Sequence, residues 1–180
     1  MKPDPRKLLR AAAMACVLLA CSGGGALADE AAANVPKAAP LAVGDAAPLV
    51  TLADQHGGTV HVDAATRLVL FTRDTDGGAF VKDALADGGT DTLASAGAVY
   101  LSDVSRMPGL VRSMFAMPSL KKRPYAVGLD DKGDATASLP FRDGFATVLT
   151  LDGGKVTAIS FVASVADVRA ALAAKAPAPK

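Results

Sequence analysis

At 180 residues the chain has room for one domain plus appendages. Of its 19 basic and 18 acidic residues the first 28 positions hold four and one, leaving 15 against 17 beyond them; that mild negative balance argues against nucleic acid as a partner. Both cysteines, Cys16 and Cys21, also fall in that first segment, which excludes thiol oxidoreductase, thiol peroxidase and cysteine-nucleophile chemistry for the rest of the chain.

In chain order, Lys2, Arg6, Lys7 and Arg10 form a basic start, and residues 11–20 an apolar run too short to span a bilayer. Ala26-Leu27-Ala28 then makes an A-x-A cleavage pattern, so residues 1–28 read as a secretory signal peptide. Leu18-Leu19-Ala20-Cys21 supports a second reading of the same segment. It resembles a bacterial lipobox, in which Cys21 is acylated, becomes the new first residue and supplies the protein's one link to a membrane. Both readings place the protein in the periplasm or beyond. Residues 29–40 are rich in Ala and Pro without apolar periodicity and read as a linker; residues 175–180 read as a disordered tail.

Between them, residues 41–174 alternate strand-like and helical patterns. "PLVTLAD" and "GTVHVD" flank a "QHGG" turn and predict a β-hairpin. "RLVLFT" predicts a buried strand, and "AFVKDALAD" a helix with Phe80, Val81, Ala84 and Leu85 on one face. "GAVYLSD" predicts a second buried strand. "PGLVRSMFAM" predicts a helix with Pro108 at its first turn and Pro118 at its end. "PYAVGLDDKGDA" reads as strand and turn, and "FATVLTLDGGKVTAISFV" as a hairpin through its "DGG". Ser164, with Asp167 three residues on, predicts the cap of a last helix. The order predicts an α/β sandwich with a mixed central sheet, an N-terminal β-hairpin extension and flanking helices.

Three stretches carry a family likeness. "VGDAAPLVTLADQHGGTVHVD" (43–63) resembles the opening segment of peroxiredoxin and thioredoxin-like domains. "PYAVGLDDKGDATASL" and "FATVLTLDGGKVTAISF" resemble a later peroxiredoxin segment and the family's last hairpin. The resemblance implies a thioredoxin-like, peroxiredoxin-type fold over residues 41–174. It also implies that the working face follows the strand 67–72, where thioredoxins carry C-x-x-C and peroxiredoxins Pro-x-x-x-Thr-x-x-Cys. Here that place reads Thr72, Arg73, Asp74, Thr75, Asp76, Gly77, Gly78, so no catalytic residue of the family carries over. The family's cis-proline falls near Ala146 in this chain.

Several constellations offer other chemistry. Asp74-x-Asp76-Gly resembles the haloacid-dehalogenase phosphatase signature, in which the first Asp is the nucleophile and the second the acid/base. Ser102, Lys122 (or Lys121), Asp130 and Asp131, with Asp134, follow in the order such an enzyme needs, although Thr72 and Arg73 displace Asp74 from the strand. The same Asp-x-Asp-Gly opens an EF-hand ligand set, but Leu85 stands where its last glutamate belongs. His56 and His61 straddle a turn and are metal candidates, with exposed polar positions as the plainer reading. Met107, Met114 and Met117 suggest a thioether copper site or, more simply, core filling. No strand–GxGxxG–helix exists, so no flavin or other cofactor is expected.

The expectation is therefore a redox-inactive envelope module that binds or assembles with an envelope protein or small ligand. Residues 72–78 form its recognition loop, with Arg73 and backbone amides gripping the ligand; the plainer account, compatible with it, is that the loop's acids cap the helix that follows, with Gly77-Gly78 making the turn. The alternatives are a magnesium-dependent phosphatase and a metal-handling protein. On the binding reading, Asp74→Asn hardly changes stability.

Overall fold

The structure, a computed structural model, describes residues 39–175. The signal segment with Cys16 and Cys21, the linker through residue 38 and the tail from residue 176 lie outside the described residues. Among the described residues no helix is long and apolar enough to cross a membrane.

Strands β1 (Val50–Ala53) and β2 (Thr59–Val62) form the expected antiparallel hairpin. Asp54 organises its turn by accepting the N–H groups of His56 and Gly58 at 2.8 and 2.7 Å. The main sheet holds β3 (Leu68–Thr72), β4 (Ala98–Asp103), β5 (Gly128–Asp130), β6 (Ala146–Asp152) and β7 (Lys155–Val162), in the order β5-β4-β3-β6-β7. β3 runs parallel to β4 and β4 to β5, while β6 is antiparallel to both β3 and β7. The parallel pair needs a crossover, which helices α1 (Thr75–Ala84) and α2 (Gly89–Ala96) supply. The antiparallel pair β6–β7 needs only a tight turn, and Gly153 and Gly154 provide its two positive φ angles, 54° and 77°.

β3 is buried at all five positions because the sheet is covered on both faces. Leu68 and Leu70 face one way, onto Val81, Ala84 and Leu85 of α1, Leu93 of α2, and Val168 and Leu172 of α5 (Val165–Ala173). Val69 and Phe71 face the other way, onto Val50, Val60 and Val62 of the hairpin and Leu139 of the loop before β6. Ser164 caps α5 as the sequence predicts, its Oγ accepting the Asp167 N–H at 3.1 Å. The hairpin is also stapled by Gln55, whose buried amide donates to the Tyr125 carbonyl and accepts from the Val127 N–H at 2.7 and 2.9 Å.

Three local expectations are corrected. α1 begins at Thr75, four residues before the predicted Ala79, so Gly77 and Gly78 lie inside its first turn. α2 is an unpredicted helix. Its sequence, GTDTLASA, has few strong helix formers, and the burial of Leu93 and Ala96 against the sheet stabilises it. The helix after Pro108 does not stop at Pro118: α3 (Gly109–Val111) runs through a π-helical turn (Arg112–Ala116) into α4 (Met117–Lys121). The Met117 N–H bonds to the Arg112 carbonyl, five residues back, and the register shift absorbs the missing N–H of Pro118.

Asp63 closes the hairpin and leads into β3. Its carboxylate accepts the Ala65 and Thr66 N–H groups at 2.9 and 3.0 Å and the Thr66 hydroxyl at 3.1 Å. These bonds favour the charged form, and the Ala65 N–H is the largest cause holding this carboxyl below its ordinary value of 3.8. A depressed folded-state value stabilises the fold above the ordinary carboxylate range and loses that contribution as pH falls through it. Asp63→Ala is expected to be less stable than the parent at pH 7, with the gap narrowing as pH falls below 3.8. Denaturant midpoints across that range measure it; a gap that stays constant or widens in acid contradicts the assignment.

Candidate functional site

The carboxyl ends of β3, β4 and β5 and the start of α1 meet at one edge of the sheet. Only Arg73 and Asp74 remain as loop there, since Thr72 ends β3 and Thr75–Gly78 are helical. Thr72 is buried, and its hydroxyl lies 2.9 Å from the Tyr100 hydroxyl. Asp74 caps α1, Oδ1 accepting the Gly77 N–H at 2.7 Å. Its Oδ2 accepts the Gly144 N–H at 2.6 Å, across seventy residues of chain. Gly77 packs so closely on the Phe145 carbonyl that a β-carbon would collide with it. Residues 144–146 therefore face the start of α1, where the cis-proline position was expected. Thr75 and Asp76 are exposed.

Arg73 Nε donates to Asp103 Oδ2 at 2.7 Å; the arginine side chain keeps 17% exposure and the aspartate 2%. The guanidinium also lies over the Phe141 ring at 4.3 Å. Asp103 Oδ1 accepts the Ser105 N–H at 2.9 Å. The 72–78 segment is thus tied into the fold at Arg73 and Asp74. Asp74 already holds the Gly77 amide and puts negative charge where an anion was to sit, and Arg73 is tied down by its partner.

The phosphatase set does not assemble. Asp74 accepts a backbone N–H on each oxygen and serves the fold as a cap and tie. Asp130 is buried at the end of β5, and its carboxylate accepts the N–H groups of Lys132, Gly133 and Thr136 and the Thr136 hydroxyl at 2.8–3.2 Å. Asp131 is exposed and paired with Arg112 at 3.1 Å, and Lys122 is exposed. Ser102 lines the same cleft as Asp74 (below), whereas Asp76 does not.

No group of three or more His, Cys, Asp or Glu residues placed to hold a metal exists among the described residues. His56 Nε2 lies 3.0 Å from the Arg123 carbonyl, while His61 lies 3.0 and 2.9 Å from the hydroxyls of Thr51 and Thr59, so the two serve different neighbours. Leu85, the would-be twelfth calcium position, is buried in the core. Of the methionines, Met117 packs against the helix-side core as expected. Met107 lines the cleft and Met114 is 60% exposed, so core filling holds for one of three.

What the edge does build is a cleft of about 540 Å³, within the size range of small-molecule sites. Its floor is Thr72, Tyr100 and Ser102, one wall is α1 with Gly78, Ala79 and Lys82, and the other is the helical stretch 109–121 with Val111, Phe115 and Leu120. Arg73, Lys82, Arg106 and Arg123 supply its positive charge. Sequence reasoning missed Tyr100, Arg106, Phe115 and Arg123. The signal available was the apolar spacing Leu110, Val111, Met114, Phe115, which puts four apolar side chains on an exposed helix face. Tyr125, two residues beyond Arg123, is buried, and its hydroxyl and the Arg123 Nε both lack a hydrogen-bond partner. Burial pushes the Tyr125 hydroxyl above its usual value, with the Arg123 charge pulling the other way.

Neither a protein-family model nor a curated protein sequence matches the chain. Solved structures do. A proposed protein disulfide isomerase from Bacteroides thetaiotaomicron matches at 17% identity and TM-score 0.51, over 74% of this chain and 87% of that one. An uncharacterized conserved protein from Geobacillus kaustophilus matches at 14% identity and TM-score 0.50, over 78% and 87%. Peroxidoxin BcpB from Mycobacterium tuberculosis matches at 18% identity and TM-score 0.49, over 74% and 95%. The chain has the thioredoxin-like fold, with the mixed sheet and flanking helices read from its sequence.

Asp74→Asn is expected to lower unfolding free energy by about 1–3 kcal/mol, because the amide turns a donor toward one of two backbone donors. Asp103→Asn strands a mostly buried guanidinium and is expected to cost about 3 kcal/mol. Urea unfolding of both variants measures these losses; parent-like stability for either shows that its bonds are dispensable.

Proposed function

We propose that the chain is a redox-inactive, thioredoxin-like binding module of the bacterial cell envelope, and that it holds its ligand or partner in the cleft beside the β3–α1 junction. The single observation that carries this reading is the lining of that cleft. Four cationic side chains and a half-open apolar wall surround it, and its two carboxylates, Asp74 and Asp103, are already committed to bonds within the fold. Export is supported by the signal-like residues 1–28, and the lipobox-like Leu18-Leu19-Ala20-Cys21 offers Cys21 as the point of attachment. Binding in place of thiol chemistry is supported by the absence of cysteine after Cys21. The recognition surface proposed here is the cleft and its rim, to which residues 72–78 contribute Thr72, Arg73, Asp74, Thr75 and Gly78.

The test is an isotope-labelled full-length chain titrated with the small-molecule and protein fractions of a bacterial envelope extract, read by amide chemical shifts. Saturable shifts at Arg73, Ser102, Arg106 and Phe115, with the hairpin signals of β1 and β2 unmoved, are expected. Shifts absent from the cleft, or spread evenly over the surface, would falsify the assignment of this face.

A further inference from the structure

We infer that the cleft takes an amphipathic carboxylate: a single anionic head on an aliphatic tail, of fatty-acid type. The inference rests on the binding reading above and names its ligand class. Two independent features of the lining argue for it, one for the head and one for the tail.

The head follows from charge. Arg73, Lys82, Arg106 and Arg123 face carboxylates that are both spoken for, Asp103 by Arg73 and the Ser105 N–H, Asp74 by the Gly77 and Gly144 N–H groups. After Arg73 is set against Asp103, the other three cations remain to face the cleft. Among the described residues the guanidinium groups of Arg106 and Arg123 make no hydrogen bond or ion pair to an acid, and Arg106 is held only at 5.7 Å over the Phe141 ring. Lys82 has only an exposed neighbour, Asp83, at 3.2 Å. A carboxylate entering here gains charge-assisted hydrogen bonds without displacing one the fold depends on. A cationic head would meet that same surplus and be repelled.

The tail follows from the opposite wall. Val111 and Phe115 are 42% and 68% exposed on the stretch that roofs the cleft, and Leu120 closes it below. Apolar side chains left in water beside a concave surface are stabilised by any aliphatic chain that covers them. A simple inorganic anion would satisfy the arginines and leave this wall wet; a neutral alcohol would cover the wall and leave the cations facing solvent. Only a molecule with both parts uses both features.

The experiment titrates the full-length chain with dodecanoate below its micelle-forming concentration, and with dodecanol, dodecylammonium and acetate as comparisons. Amide shifts and displacement of anilinonaphthalene sulfonate fluorescence are the two readouts. Dodecanoate is expected to saturate at the cleft signals, with each of the three comparisons bound at least tenfold more weakly. Arg106 is exposed, so Arg106→Gln is expected to fold normally and to weaken dodecanoate about tenfold while leaving dodecanol unchanged. Phe115→Ser is expected to weaken dodecanoate and dodecanol alike. Equal binding of dodecanoate and dodecanol, or of acetate and dodecanoate, overturns the inference, as does an Arg106→Gln chain with unchanged dodecanoate affinity. If dodecanoate leaves the cleft signals unmoved while the envelope extract still shifts them, the ligand class falls and the binding reading stands. Silence of both removes both.

Discussion

The rest of the site depends on one carboxylate. Asp74 joins the first turn of α1 to the strand that begins at Ala146, accepting one backbone N–H from each side. Those two segments must meet closely, because the Gly77 backbone lies directly on the Phe145 carbonyl. Two N–H groups pointing into such a tight junction would otherwise be buried without partners, each costing about 1–3 kcal/mol. A charged acceptor with two free oxygens answers both at once, which a serine or threonine cap could not. The position is therefore set by electrostatics: each carboxylate oxygen holds one backbone N–H across the junction.

The same reasoning separates what the sequence made legible from what it hid. β3, β4, β6 and β7 were readable because each alternates or runs apolar between turn residues, and the Gly153-Gly154 turn has few other uses. Ser164 and its partner Asp167 were readable as a local cap, because the bonding atoms lie three residues apart. For Asp74 only the capping bond was legible, its Gly77 partner lying three residues on. Its second partner, Gly144, is seventy residues away, and a motif match to Asp-x-Asp-Gly looks the same whether the carboxylates are free or bonded. Adjacent glycines such as Gly77 and Gly78 read as a turn in sequence, yet Gly77 allows a close approach within a helix. Asp130 and Asp131 likewise form an adjacent acidic pair in sequence and point to different work in space, one into the 132–136 loop and one to Arg112.

Burial on both faces of the sheet explains why the cleft opens where it does. One face is covered by α1, α2 and α5, the other by the β1–β2 hairpin and the loop around Leu139. Gln55 fixes the hairpin by pairing with the backbone at Tyr125 and Val127, as a neighbouring strand would. With both faces closed, a cleft remains at the carboxyl ends of the parallel strands, where open α/β sheets place their ligands. Polar groups that reach that edge either find partners in the fold, as Thr72, Arg73, Asp74 and Asp103 do, or lack an acidic partner among the described residues, as Arg106 and Arg123 do.

The roof of the cleft is the part of the molecule least determined by core packing. From Gly109 to Lys121 the only buried side chain is Leu120, and four large apolar residues face outward. A regular α-helix cannot pass Pro118 without losing a bond and crowding the Met114 carbonyl. The π-helical turn at Arg112–Ala116 accommodates this by slipping the register one residue, which rotates everything before it relative to α4. Val111 and Phe115 lie on the rotated side and Leu120 on the anchored side, yet all three line one cleft. The register slip thus bears on how the apolar wall is aimed: one residue of register corresponds to roughly 100° about the helix axis. A residue read from the sequence as a helix terminator instead lies within the continuous helical stretch that lines the cleft.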